Sequence, residues 1–168
     1  MEIRAEALAD QPTVFALHQA AFGGDGEAKL VDLLRAQASP LVSLVAEEQG
    51  QILGHILFSP MSLPQDSRRL VMGLAPMAVL PEWQRKGIGS ALVRAGIEKC
   101  RELGVSAIFV LGHAEYYPRF GFAPASRHGV RCEYAAPDEC FMALELEPSA
   151  LQGVLGLVKY HPAFASLA

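Results

Sequence analysis

The chain has 168 residues, 14 of them Lys or Arg and 18 Asp or Glu, for a formal net charge of −4; 51% are hydrophobic and 19% charged. That length suits a single domain over residues 1–168 that buries a core without disulfide or metal, and the lack of a basic stripe disfavours nucleic acid as a partner. No apolar run approaches the roughly 20 residues of a membrane span, Met1-Glu2-Ile3-Arg4-Ala5-Glu6 lacks the basic start and apolar block of a secretory leader, and Cys100, Cys132 and Cys140 show no CxxC spacing, which together predict reduced thiols, no membrane, no metal and a cytoplasmic location.

In chain order, residues 3–7 read as a short strand and 12–22 as a helix that Asp10 caps and whose first turn tolerates Pro12. Gly23-Gly24-Asp25-Gly26 ends it. A second helix over 27–37 carries Leu30, Val31 and Leu34 at helical spacing, on one buried face. Residues 41–48 and 51–58 are strand-like and flank Gln49-Gly50, which predicts an antiparallel hairpin. The run 70–80 is long and apolar but contains Gly73 and Pro76; proline cannot donate to a ladder and glycine weakens one, so this strand is expected to bulge or splay near Pro76.

From 87 to 103 the pattern is helical again, with Ile88, Leu92, Gly96, Cys100 and Leu103 three or four apart and Gly104 as the stop. Ala107-Ile108-Phe109-Val110-Leu111 follows as a wholly apolar strand, and strand, helix, strand makes a βαβ unit with two parallel strands. A short helical or turn segment is expected over 115–120 and a strand over 141–146. An accessory strand near 157–160, within the tail 153–168, either completes the sheet or pairs with a second copy of the chain as a homodimer. The sum is an α/β chain with a mixed sheet and helices on its faces.

The chemistry concentrates in Gln84-Arg85-Lys86-Gly87-Ile88-Gly89, between a strand and a helix. Unbonded amides and the dipole at a helix N-terminus attract an anion, and glycines let it approach the backbone. On the glycines alone, a tight turn and close helix packing explain the stretch equally well. It is neither of two familiar phosphate loops: Leu92 stands where the dinucleotide fingerprint has its third glycine, and a Gly-Lys-Ser/Thr ending is missing.

The stretch resembles the Gln/Arg-x-x-Gly-x-Gly/Ala pyrophosphate loop of the GNAT superfamily of N-acetyltransferases. The lead-in Leu74-Ala75-Pro76-Met77-Ala78-Val79-Leu80-Pro81-Glu82-Trp83 resembles that family's splayed fourth strand, and Tyr117-Pro118-Arg119-Phe120-Gly121-Phe122 its later Tyr-x-x-x-Gly-Phe signature. Gly54-His55-Ile56-Leu57-Phe58-Ser59-Pro60 and Val158-Lys159-Tyr160-His161-Pro162-Ala163-Phe164 are similar to a bacterial subgroup of YhbS-like predicted acetyltransferases. The resemblance covers nearly the whole chain. It implies a GNAT-type fold, mostly antiparallel with a central parallel βαβ unit and a splayed strand pair.

It also implies an activity: transfer of an acetyl group from acetyl-CoA, the co-substrate, to a primary amine on a small molecule or peptide. Pantetheine would take backbone hydrogen bonds from Met77, Ala78 and Val79, and the pyrophosphate would sit on Gln84, Arg85, Lys86, Gly87, Ile88, Gly89 and Ser90. Tyr117 aligns with the tyrosine that protonates the departing thiolate, while Tyr116 reads as packing. The family's strand glutamate is missing, since residues 74–80 hold no ionisable side chain. His113, at the end of the apolar strand, is the leading substitute base, ahead of Glu115 and Glu82. His18, His55, His128 and His161 lack metal-ligand spacing and read as structural. A non-catalytic acyl-CoA-binding or sensor module is the alternative, and a ligand-free interaction domain a third reading.

Overall fold

A computed structural model describes residues 1–65 and 68–167. The chain divides into two compact units, neither contiguous in sequence: one holds Met1–Ser59, Ala75–Lys99 and the residues from Pro162 onward, the other Pro60–Leu74 and Cys100–His161.

In the first unit β1 (Glu2–Ala5) leads into α1 (Gln11–Phe22) and α2 (Gly26–Gln37), then the hairpin of β2 (Val42–Glu48) and β3 (Gln51–Met61). β4 (Val71–Val79) and α3 (Ile88–Leu103) complete it; β3, β4 and α3 each cross the unit boundary along their own length. The strand order is β1-β2-β3-β4, antiparallel from β1 through β3. Asp10 occupies the cap position of α1 without capping it: its carboxylate accepts hydrogen bonds from both Arg4 guanidinium nitrogens (2.7 and 3.1 Å) and from the Ala7 amide (2.7 Å). The arginine outcompetes the helix amides, because a charge-assisted fork is the stronger partner. Val14 and Leu17 of α1 pack with Val45, Ile52 and Ala78. On α2, Leu30, Val31 and Leu34 are buried as their spacing predicts, and each buried Leu contributes about 1.5–3 kcal/mol.

The second unit orders the start of β4, then β5 (Ala107–Leu111), β8 (Phe141–Glu145) and β6 (Ala123–Pro124). A separate parallel pair joins β7 (Val130–Cys132) to β9 (Gly156–Val158). The C-terminal strand thus exists but pairs with β7, a partner too short and too mixed in sequence to be anticipated. Leu103 also departs from expectation: it is 44% exposed, while Val93 and Ile97 are buried on α3 instead.

β4 and β5 form the predicted parallel pair, with Val71 opposite Ala107, Met72 opposite Ile108 and Gly73 opposite Phe109. Beyond the third pair the strands splay. The splay expected near Pro76 is there: β4 stays extended to Val79, while its ladder to β5 stops at Gly73, three residues before the proline.

Candidate active site

Two segments hold the residues singled out by sequence, one in each unit. In the first, β4 ends at Val79, Leu80 donates its amide to the Leu53 carbonyl (2.9 Å), and a single turn over Pro81–Trp83 brings the chain to Gln84. The Gln84 side-chain amide folds back and donates to the Val79 carbonyl at 3.1 Å, bracing the turn. Arg85 and Gly87 both take positive φ, 64° and 86°, and the Lys86 ammonium between them lies 4.9 Å above the Trp83 ring. This tight coil delivers the chain into α3, whose first bond runs from the Ala91 amide to the Gly87 carbonyl (3.0 Å). The amides of Ile88 and Gly89 lie ahead of that bond and have no acceptor within the helix. A Cβ at Gly87 would meet nothing within 4 Å, so the loop opens to solvent there.

What seats α3 is less visible in the sequence. A Cβ at Gly54 would stand 3.0 Å from Leu92, 3.1 Å from Ile88 and 3.2 Å from the Ala78 carbonyl, and one at Gly96 would clash with the Phe58 ring. Two glycines, one on the strand and one on the helix, let the first turns of α3 lie flat on β3. Ala78 turns its methyl into the core, whereas Met77 and Val79 are half-buried.

In the second unit, the chain leaves β5 at Leu111, and Gly112 donates its amide to the Cys140 carbonyl (2.9 Å). The His113 carbonyl then accepts from the amides of Tyr116 (3.1 Å) and Tyr117 (3.4 Å), opening a single helical turn over Tyr117–Phe120. Gly121, with φ of 100°, closes it. Tyr117 is 7% exposed, and its ring makes edge contacts with Tyr116 (5.0 Å between centroids) and Phe122 (5.8 Å). Burial, then the neighbouring Tyr116, pushes its phenol up to about 12. Tyr116 carries the Arg119 guanidinium 4.9 Å from its ring centre, consistent with packing. His113, Glu115 and Glu82 are exposed.

By spacing alone His18 and His55 read as structural, and the fold joins them. His18 Nε2 lies 2.8 Å from His55 Nδ1, and His55 Nε2 lies 2.8 Å from Ser43 Oγ, which donates to Glu6 at 3.0 Å. Glu6 in turn is paired with Arg35. Because Ser43 gives its proton to the carboxylate, it must accept from His55 Nε2–H. His55 Nδ1 then accepts from His18, so both rings are neutral Nε2–H tautomers. Burial first, then Arg35, lowers His18 to about 4, and burial followed by His18 holds His55 well below its usual value. Among the described residues no three His, Cys, Asp or Glu side chains are grouped to hold a metal, and no helix is long and apolar enough to cross a membrane.

The profile of the Acetyltransferase (GNAT) family matches residues 12–122, which takes in the helix pair, the loop into α3 and the tyrosine segment. The chain belongs to the GNAT acetyltransferase family. It is 38% identical over 165 residues to YhbS of Escherichia coli K12, described as an uncharacterized N-acetyltransferase, with 98% of each chain covered. The crystal structure of E. coli YhbS in complex with CoA superposes with a TM-score of 0.90 at 36% identity, over 98% of this chain and 91% of that one. A GNAT acetyltransferase of Brucella melitensis in complex with acetyl-CoA gives 0.79 at 37% identity, over 97% of each. The splayed strand pair and mostly antiparallel strands are therefore the GNAT fold, and relatives of this GNAT protein bind CoA and acetyl-CoA.

Proposed function

We propose that residues 1–168 form one cytoplasmic acetyltransferase domain that moves the acetyl group of acetyl-CoA to a primary amine by direct attack in a ternary complex. The observation that carries this reading is the coil at Gln84–Gly87 feeding the first turn of α3, in a chain whose relatives are seen with CoA and acetyl-CoA. Acetyl-CoA supplies an acyl group already activated as a thioester. The Ile88, Gly89 and Ser90 end of α3, with Arg85 and Lys86, suits a diphosphate: amides, dipole and two cations act together. The backbone of Met77 and Ala78 would pair with pantetheine, while the Val79 carbonyl is already engaged by Gln84. An amine held against the thioester carbonyl then reacts as an intramolecular partner.

Tyr117 is the proton donor in this scheme. With its phenol near 12 it stays protonated through the neutral range, and it serves chiefly by donating a hydrogen bond as charge gathers on the sulfur. Acetylating an ammonium releases one proton overall, and the exposed imidazole of His113 is the proposed first acceptor. A non-catalytic acyl-CoA sensor is the second reading, favoured by the absence of any ionisable side chain on residues 74–80.

Thiol release from acetyl-CoA, measured against a panel of peptide N-termini, lysine, polyamines, aminoglycosides and amino acids, separates the two. The enzyme reading predicts thiol release matched by acetylated amine; CoA binding with no turnover on any amine supports the sensor. In calorimetry, Gly89→Val should weaken acetyl-CoA binding at least tenfold in a folded protein, because its side chain crowds the amides. Unchanged affinity would move the phosphate site elsewhere.

A further inference from the structure

Glycines in turns are usually required by backbone conformation, and Gly121 and Gly87 here satisfy that rule with φ of 100° and 86°. Gly112 does not. It is absent from the positive-φ glycines, so its backbone accepts any residue. The demand for glycine comes from Tyr117. A Cβ at position 112 would stand 2.6 Å from Cε2, 3.2 Å from Cδ2 and 3.5 Å from Cζ of that ring. These atoms run along one edge of the ring toward the carbon that bears the hydroxyl.

Neither partner yields easily. Gly112 is tied to Cys140 through its amide, and the Tyr117 ring is held on other sides by Tyr116 and Phe122. Relieving the 2.6 Å approach to an ordinary carbon–carbon separation needs a ring displacement of about 1 Å. A displacement of that size at a reacting group costs on the order of 10²-fold in rate.

We propose that Gly112 is a positioning residue for the acetyl transfer: the side chain it lacks is the space that fixes the Tyr117 ring, and with it the hydroxyl. The proposal rests on the reading of Tyr117 as proton donor. It requires glycine at 112 for the sake of a side chain five residues on, not for the turn.

The test compares wild type, Gly112→Ala, Tyr117→Phe and the double variant as full chains. With ¹³Cζ-labelled tyrosine, the NMR resonance lost in Tyr117→Phe identifies Tyr117. In Gly112→Ala that resonance should shift, and its titration should fall from about 12 toward the ordinary 10 as the ring leaves its pocket, with Tyr134 unmoved. Turnover on an amine accepted in the thiol-release panel should fall about 10²-fold in each single variant, with acetyl-CoA affinity within twofold of wild type. The double variant should be no slower than the slower single one.

An unshifted Tyr117 resonance, or losses that multiply in the double variant, overturns the proposal. Slow turnover in Tyr117→Phe with wild-type turnover in Gly112→Ala overturns it while leaving the donor reading intact. Wild-type turnover in Tyr117→Phe removes the donor reading and the proposal with it. Should Gly112→Ala fold poorly, its thermal midpoint is measured also in a Tyr117→Ala background. The proposal predicts a drop of several degrees only beside the tyrosine; an equal drop in both backgrounds overturns it.

Discussion

His18 and Tyr117 are both buried groups that carry a labile proton, one in each unit, and the chain holds them by opposite means. His18 is the end of a hydrogen-bonded series through His55, Ser43, Glu6 and Arg35, in which each donor and acceptor dictates the next. Tyr117 is held by rings and by the empty side of Gly112. The difference teaches what each arrangement suits. A hydrogen-bonded series fixes protonation state and direction, so its members are committed to structure. Ring packing fixes position, which on the proposed reading leaves the hydroxyl to donate to a substrate.

The largest effect that sharpens this contrast is expected at Arg35. Arg35→Ala leaves Glu6, 6% exposed at its side chain, without its countercharge, and removing one partner of such a pair costs ~3–5 kcal/mol. Tyr117→Phe keeps every ring contact and should cost under about 1 kcal/mol of stability. Urea unfolding of both variants checks the pair; equal losses would mean that the two regions are held alike.

The pH dependence of stability should come next, with opposite edges. An unfolded histidine titrates near 6.5 and folded His18 near 4, so its stabilising contribution is fully present above 6.5 and is lost as pH falls toward 4, worth roughly 3 kcal/mol. Tyr117 is raised from 10 to about 12, so its contribution is present below 10 and is lost as pH rises through 12, worth about 2–3 kcal/mol. Thermal midpoints should therefore fall on both sides, with His18→Phe reducing the acid limb, which His55 shares, and Tyr117→Phe reducing the alkaline limb, which Tyr160 and Cys100 share. An acid limb that His18→Phe leaves untouched would contradict the neutral tautomers assigned to the pair.

The smallest effect belongs to Tyr116. Its ring braces Tyr117 and Phe120, and Tyr116→Phe preserves that ring; turnover should stay within about threefold of wild type. A larger loss would transfer the donor's role from Tyr117 to its neighbour.

What could be read beforehand follows a physical division. The helices, the hairpin and the βαβ unit were legible because their signals are local: the spacing of Leu30, Val31 and Leu34, the Gln49-Gly50 turn, and apolar 107–111 after a helix. The coil into α3 was legible as a turn before a helix because its signal, Gly87 and Gly89 ahead of a helical pattern, lies in consecutive residues. The histidine series was not, since His18 and His55 are 37 residues apart and Glu6 and Ser43 again 37; the β1–β2 edge brings Glu6 to Ser43, the β2–β3 register brings Ser43 to His55, and the packing of α1 on these strands brings in His18. Gly112 was legible as a glycine but not for its reason, which depends on where a ring five residues later turns. Asp10 misled because its sequence neighbours favour a cap while Arg4, on β1, takes the carboxylate.

The most direct test of the account is single-turnover acetyl transfer in Tyr117→Phe, mixed rapidly with saturating acetyl-CoA and an amine from the thiol-release panel. The account predicts binding of acetyl-CoA as in wild type and a chemical step slower by on the order of 10²-fold, with the thiol and the acetylated amine appearing together. A Tyr117→Phe step as fast as wild type would contradict it.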